Sequence, residues 1–198
     1  MSAAVIIDSG GANIASLRAA LTRLGTDSVV TTDHGVIRNA PRVFLPGVGS
    51  AQDAMHRLRV AGLDQVIPTL KQPLLGICLG MQILFDRSDE GPAKTLGVIP
   101  GSVDKLHSAP GLPVPHMGWN QLVQSQPDPL LDGVGALDYV YFVHGFAVSA
   151  GEFTVATTEY GSNFTAVARR GNFCGTQFHP ERSGVVGARI LANFLKAS

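Results

Sequence analysis

The stretch that most constrains the fold is Pro73-Leu74-Leu75-Gly76-Ile77-Cys78-Leu79-Gly80-Met81-Gln82-Ile83-Leu84-Phe85. Residues 74–77 form an apolar run that does not alternate, the pattern of a strand buried on both faces of a parallel sheet. From Leu79 onward, helix formers follow at helical apolar spacing, so Cys78 stands on a sharp strand-to-helix turn. Glycines at 76 and 80 remove the Cβ atoms that would obstruct the turn or an approaching ligand. This is a cysteine version of the strand–turn–helix elbow that exposes nucleophiles. At a helix N-terminus the positive potential favours a thiolate, and the Leu79 N–H is a first-turn donor open to an oxyanion. The competing reading is a structural cysteine buried at a tight turn.

The flanking chain fits a sheet covered by helices. Residues 4–8 and 28–31 read as strands, and 42–45 as a third. Between the first two, a helix carries Ile14, Leu17, Leu21 and Leu24 on one face and stops at Gly25. Pro46-Gly47-Val48-Gly49-Ser50 comes after the third strand, with Ser50 placed to cap a helix starting at Ala51. Residues 62–71 look helical and lead into the cysteine strand. Strand–helix alternation predicts a parallel sheet. After Asp86, short β-rich runs at 97–106, 119–123, 139–146, 153–159, 164–169 and 173–178 are divided by turns and proline-rich loops. A final helix carries Val186, Ile190 and Phe194. The expected architecture is a single α/β domain over residues 1–198, a twisted, mostly parallel, flavodoxin-like sheet flanked by helices.

Composition narrows the function. Fifteen basic and fifteen acidic residues balance, so no bulk field draws nucleic acid or an anionic membrane. Two cysteines in unlike contexts suggest no disulfide framework and fit a reducing cytoplasm. No run reaches the ~20 apolar residues of a membrane span, and the N-terminus lacks a signal-peptide pattern. No His, Cys and carboxylate group has metal-ligand spacing, so neither metal nor cofactor is expected. Gly10-Gly11 matches no phosphate-loop motif.

A catalytic thiol needs a base and a group to orient it. Thr176-Gln177-Phe178-His179-Pro180-Glu181 supplies both at the end of the last strand. In extended chain, residues i and i+2 point to one side about 6.5 Å apart, so His179 and Glu181 can share a face. The carboxylate on one imidazole nitrogen leaves the other for the thiol proton. Crevices of open α/β sheets lie beyond the carboxyl ends of strands, where Cys78 and His179 are both expected. His34, His56 and His107 fall in exposed contexts, His116 and His144 suit structural roles, and Cys174 reads as a packed strand thiol.

Gly76-Ile77-Cys78-Leu79-Gly80-Met81-Gln82 together with His179-Pro180-Glu181 resembles the class I (triad) glutamine amidotransferases over essentially the whole chain. Pro115-His116-Met117-Gly118-Trp119-Asn120, Tyr141-Phe142-Val143-His144 and Pro46-Gly47-Val48-Gly49 resemble the branch serving imidazole glycerol phosphate synthesis in the histidine pathway. The resemblance implies Cys78 as nucleophile, His179 as base and acid, and Glu181 as its orienting group. It implies an oxyanion hole from the N–H groups of Val48 and Leu79. L-Glutamine would be held by Gly47, Gly49, Gln82, His144, Gly145 and Phe146. Asn13, Met117, Trp119, Asn120 and Arg182 would face a partner, a cyclase (β/α)8 barrel that completes a heterodimer and receives the ammonia. Rotation of the Val48 peptide, with glycine on each side, is a further expectation as a control device.

Two stretches depart from the family. The usual Asp-Tyr-Gly-x-Gly-Asn is Asp8-Ser9-Gly10-Gly11-Ala12-Asn13 here, and the usual Ser-Tyr after the histidine is Gly145-Phe146. Other amidotransferase subunits, for anthranilate, aminodeoxychorismate or pyridoxal phosphate synthesis, compete with this reading. A non-catalytic thiol-sensing module does too, although it would not need His179-Pro180-Glu181.

Overall fold

The computed structural model describes residues 4–10, 14–91 and 93–196. The first half is β1 (Ala4–Ile7), α1 (Ile14–Arg23), β2 (Ser28–Thr31), α2 (His34–Asn39), β3 (Val43–Gly47), α3 (Ala51–Val60) and α4 (Leu63–Val66). It closes with β4 (Leu74–Cys78) and α5 (Leu79–Gln82). The second half holds β5 (Arg87–Ser88), β6 (Ala93–Lys94), β7 (Ser102–Lys105), β8 (His116–Gln121), β9 (Val123–Gln124), β10 (Tyr139–His144) and β11 (Phe146–Val148). β12 (Thr154–Tyr160), β13 (Ser162–Arg170), β14 (Phe173–Thr176) and α6 (Gly184–Lys196) complete it.

Eight strands make the central sheet in the order β2-β1-β3-β4-β14-β13-β12-β9. The first five run parallel, and β13, β12 and β9 extend the sheet antiparallel. The order 2-1-3-4-14 of the parallel part is the flavodoxin-like order. Alternate side chains explain the two helical layers. Ile6, Phe44, Leu75 and Ile77 pack with Leu17, Leu21, Ile190 and Phe194 of α1 and α6 on one face. Val5, Ile7 and Leu45 pack with Met55 and Leu58 of α3 on the other. Phe44 and Phe194 meet edge to face at 4.9 Å; burying each ring contributes about 1.5–3 kcal/mol.

β3 runs two residues further than expected, through Pro46 and Gly47, and α2 is not foreseen from the sequence. Its cap is Asp33, whose carboxylate accepts the Val36 N–H at 2.8 Å. Two small sheets stand apart from the large one: β8 with β10, and β11-β7-β5-β6. No helix of the described residues is long and apolar enough to cross a membrane.

Candidate active site

Three parallel strands converge on the site. In the register of β3, β4 and β14, Gly47 lies opposite Cys78 and Thr176 opposite Ile77. The chain therefore leaves all three strands at one level, and the three segments beyond their ends meet above the sheet. Cys78 has φ 54° and ψ −114°, the only positive φ of a non-glycine among the described residues. Neighbouring glycines make that turn possible. A Cβ on Gly76 would lie 2.6 Å from the Gly80 carbonyl, one on Gly80 would overlap the Leu45 carbonyl, and one on Gly47 would lie 2.7 Å from the Gly80 N. Gly47 is thus required by close packing, whereas Gly49 adopts φ 90° in open space. α5 is only one turn long, so Cys78 faces the free N–H groups of a single turn rather than the end of a long helix.

His179 is the third residue after β14, and Pro180–Arg182 is a 3-10 turn. The turn, not a continuing strand, brings Glu181 back so that its Oε1 lies 2.9 Å from Nδ1 of His179. His179 also hydrogen-bonds the Cys78 side chain. Burial works against charge on this imidazole, but the bonds to Cys78 and Glu181 outweigh it and raise its pKa to about 10. The backbone of this turn is held from β10: the His179 N–H donates to the Tyr141 carbonyl at 2.9 Å. The Ser183 hydroxyl donates to the His179 carbonyl at 2.7 Å and accepts the Tyr141 N–H at 2.9 Å. Ser183 has no sequence signature, because its partners come from distant elements.

A pocket of about 360 Å³ opens over Cys78 and His179. Gly47, Val48, Gly49, Leu79, Gln82, His144, Gly145 and Phe146 all line it, as do Pro115, Val143 and Glu90. Gln82 is buried, and its amide nitrogen is committed to the Phe146 carbonyl (2.8 Å) and to Gln177 Oε1 (2.9 Å). It therefore offers a ligand only its carbonyl oxygen. Glu90, which no sequence motif marks, reaches the pocket from the far side and accepts the Ala51 N–H at 3.2 Å. Burial raises its pKa, with that bond opposing the rise and Asp53 adding to it.

The buried face of β8 and β10 carries a histidine pair. His116 and His144 lie opposite each other in register, Nδ1 to Nε2 at 3.0 Å. Burial pushes both down to about 4, and Phe142 and Tyr160 stack on His116. The opposite face exposes Met117, Trp119 and Tyr139, with Tyr141 edge-on to Trp119 and Arg182 5.0 Å above the Tyr141 ring. Asn120 is bound to the Glu159 carbonyl at 2.9 Å. Asn13 lies outside the described residues. Ser9, where the family usually has Tyr, braces the end of β3 by donating to the Pro46 carbonyl at 2.5 Å. Cys174 is a core thiol, its pKa pushed to about 12 by burial. Among the described residues no group of three or more His, Cys, Asp or Glu side chains could hold a metal ion.

Comparison with known proteins agrees with this geometry. The family model "Glutamine amidotransferase class-I" matches residues 5–197. The imidazole glycerol phosphate synthase subunit HisH of Xanthomonas euvesicatoria pv. vesicatoria is 51% identical over 198 residues, 100% of this chain and 99% of the relative. HisH of Xylella fastidiosa (strain Temecula1) is 49% identical over 99% of this chain and 98% of its own. In fold, PurLQS of Thermotoga maritima superposes with a TM-score of 0.74 at 20% identity, covering 98% of both chains. The crystal structure of a glutamine amidotransferase does so with 0.75 at 19%, covering 98% of this chain and 97% of that one. With the profile spanning nearly every residue and half of all positions shared along full-length relatives, the chain belongs to the class-I glutamine amidotransferases.

Proposed function

We propose that the chain, as one glutaminase domain, is the ammonia-producing subunit of an imidazole glycerol phosphate synthase. The observation that carries the chemistry is the Cys78–His179–Glu181 arrangement at the floor of a pocket of suitable size for a small amino acid. The observation that carries the assignment is the identity of about one half with full-length HisH proteins.

The mechanism is built from these atoms. Proton transfer from Sγ to the second ring nitrogen of His179 gives a thiolate and an imidazolium, and Glu181 on Nδ1 stabilises the latter. The thiolate attacks the carboxamide carbon of L-glutamine. The resulting oxyanion lies between the N–H groups of Val48 and Leu79. Collapse breaks the C–N bond as His179 returns its proton, releasing ammonia and leaving a glutamyl thioester. Water, deprotonated by His179, then releases glutamate and regenerates the thiol. The Glu90 carboxylate suits the substrate's ammonium group, and Gln82 can offer its carbonyl oxygen beside it.

Ammonia free in water is mostly protonated and no longer a nucleophile, so it must be handed over within a complex. The exposed Met117, Trp119 and Tyr139, with Arg182 alongside, form the apolar face that suits docking to a cyclase (β/α)8 barrel. That barrel would use the ammonia to make imidazole glycerol phosphate and aminoimidazole carboxamide ribotide in the cytoplasm. Docking would also favour the Val48 peptide orientation that supplies the second oxyanion donor, worth roughly 10²–10³ in rate. The test is glutamate release by this chain alone, with the barrel, and with barrel plus its nucleotide ligand. Release should rise at each step and by at least tenfold overall, and Trp119→Ala should lower only the stimulated rate. Equal rates in all three states would overturn the reading.

A further inference from the structure

The nucleophile has a polar neighbour that the triad chemistry does not use. Because Thr176 lies opposite Ile77 in the parallel register, the next residue, Gln177, comes level with Cys78. Its side chain is fully buried, and its Nε2 lies 3.8 Å from the Cys78 sulfur. A primary amide can face either way, but here its neighbours fix the direction. The Phe146 carbonyl only accepts, so both groups that reach it, His144 Nδ1 and Gln82 Nε2, carry hydrogen. The same Gln82 nitrogen points its second hydrogen at Oε1 of Gln177. With its oxygen occupied, Gln177 turns its NH2 end to the sulfur. At the far end, His144 protonated on Nδ1 offers the lone pair of Nε2, and His116 fills it with Nδ1–H.

We infer that Gln177 is a catalytic hydrogen-bond donor that stabilises the Cys78 thiolate, and that Gln82, His144 and His116 are positioning residues that fix the direction of its amide. The inference rests on Cys78 being the nucleophile proposed above. Only a proton moves, from Sγ to His179, and Gln177 contributes a hydrogen bond to the sulfur left behind. A second neighbour pulls the other way. The Val143 carbonyl lies 3.8 Å from the sulfur and accepts from a thiol, so a reversed Gln177 would leave two oxygens facing the same atom. A buried chain of this kind is worth most when every member is satisfied.

The test is the pH dependence of Cys78 alkylation by iodoacetamide from pH 5 to 10 in the full-length chain, followed by peptide mass. Cys174, buried in β14, serves as the unreactive control. The titratable groups around the sulfur are His179, backed by Glu181, with His144 and Glu90 across the pocket. Gln177→Met keeps the length and removes the donor, and should move the alkylation midpoint up by about one pH unit, roughly tenfold less thiolate at neutral pH. In Gln82→Glu the neutral acid can donate to Phe146 and accept from Gln177. That reverses the Gln177 amide and should raise the midpoint at least as far. In the wild-type chain, the Gln177 side-chain amide resonances should shift with that same midpoint. Resonances that stay fixed through it, or an unmoved midpoint in a folded variant, overturn the inference. Turnover of glutamine by the wild type with an unmoved midpoint would remove the donor and leave the function. A moved midpoint without any turnover would do the reverse.

Discussion

Cys78 concentrates the backbone strain of the described residues and, in the proposed mechanism, the chemistry. Its φ of 54° with ψ −114° is costly for any residue with a Cβ, about 1–3 kcal/mol, and is the mirror image of ordinary extended backbone, which glycine adopts freely. Both Cys78→Gly and Cys78→Ala remove the sulfur, but only the first releases the strain. After the 0.5–1 kcal/mol that glycine loses through unfolded-state freedom, Cys78→Gly should be the more stable by about 1 kcal/mol in urea denaturation. An alanine variant of equal or greater stability would show that the turn is not strained. At this scale the sequence is most legible where chemistry is local. Cys78 between glycines and His179 two residues from Glu181 announce themselves by spacing. Glu90, Gln177 and Ser183 do not, since each gains its role from atoms between 39 and 99 residues away in the chain or from another strand's backbone.

At the scale of elements, continuous apolar runs identify β1 and β4 because parallel strands buried on both faces have little else to be. α2 escapes such a reading, having a single buried residue, Ile37, in six. α5 is shorter than its sequence suggests, since Ile83, Leu84 and Phe85 keep helical apolar spacing after the helix has ended and are fully buried there. The separation of β8 and β10 from the large sheet cannot be read from alternation, which gives faces but not partners. Their pairing has a consequence for stability. His116 and His144 are held neutral, each pushed down to about 4, while in the unfolded chain they protonate near 6.5. Their contribution is therefore complete above pH 6.5 and is lost as the pH falls towards 4. His179, raised to about 10, has the opposite sign: its contribution is complete below pH 6.5 and is lost as the pH rises towards 10. The urea midpoint should drop between pH 7 and pH 5 by the equivalent of about 3 kcal/mol at constant slope. That window lies above the ordinary carboxylate range, the raised Glu90 carboxyl opposes the drop, and a flat midpoint in a Glu90→Gln background would contradict the neutral pair.

At the scale of the whole molecule, the carboxyl ends of the central strands gather the candidate site. The carboxyl ends of β3, β4 and β14 and the segments beyond them bring together the proposed oxyanion donors, nucleophile and base; Val143 and His144 of β10 line the pocket, and β8, paired with β10, exposes Met117 and Trp119. The β8–β10 pair thus connects the proposed glutamine site to the proposed docking face. The proposed division of labour is open to a direct measurement on the chain carrying Cys78→Ala, mixed with the proposed cyclase subunit, comparing imidazole glycerol phosphate formation from glutamine with that from ammonium salt. Glutamine-dependent formation should fall by at least 10³-fold, the order expected when a nucleophile is removed, while ammonium-dependent formation stays within about twofold of wild type. Retained glutamine-dependent formation, or loss of the ammonium-dependent reaction in an intact complex, would contradict the role of Cys78 as the source of ammonia for a second subunit.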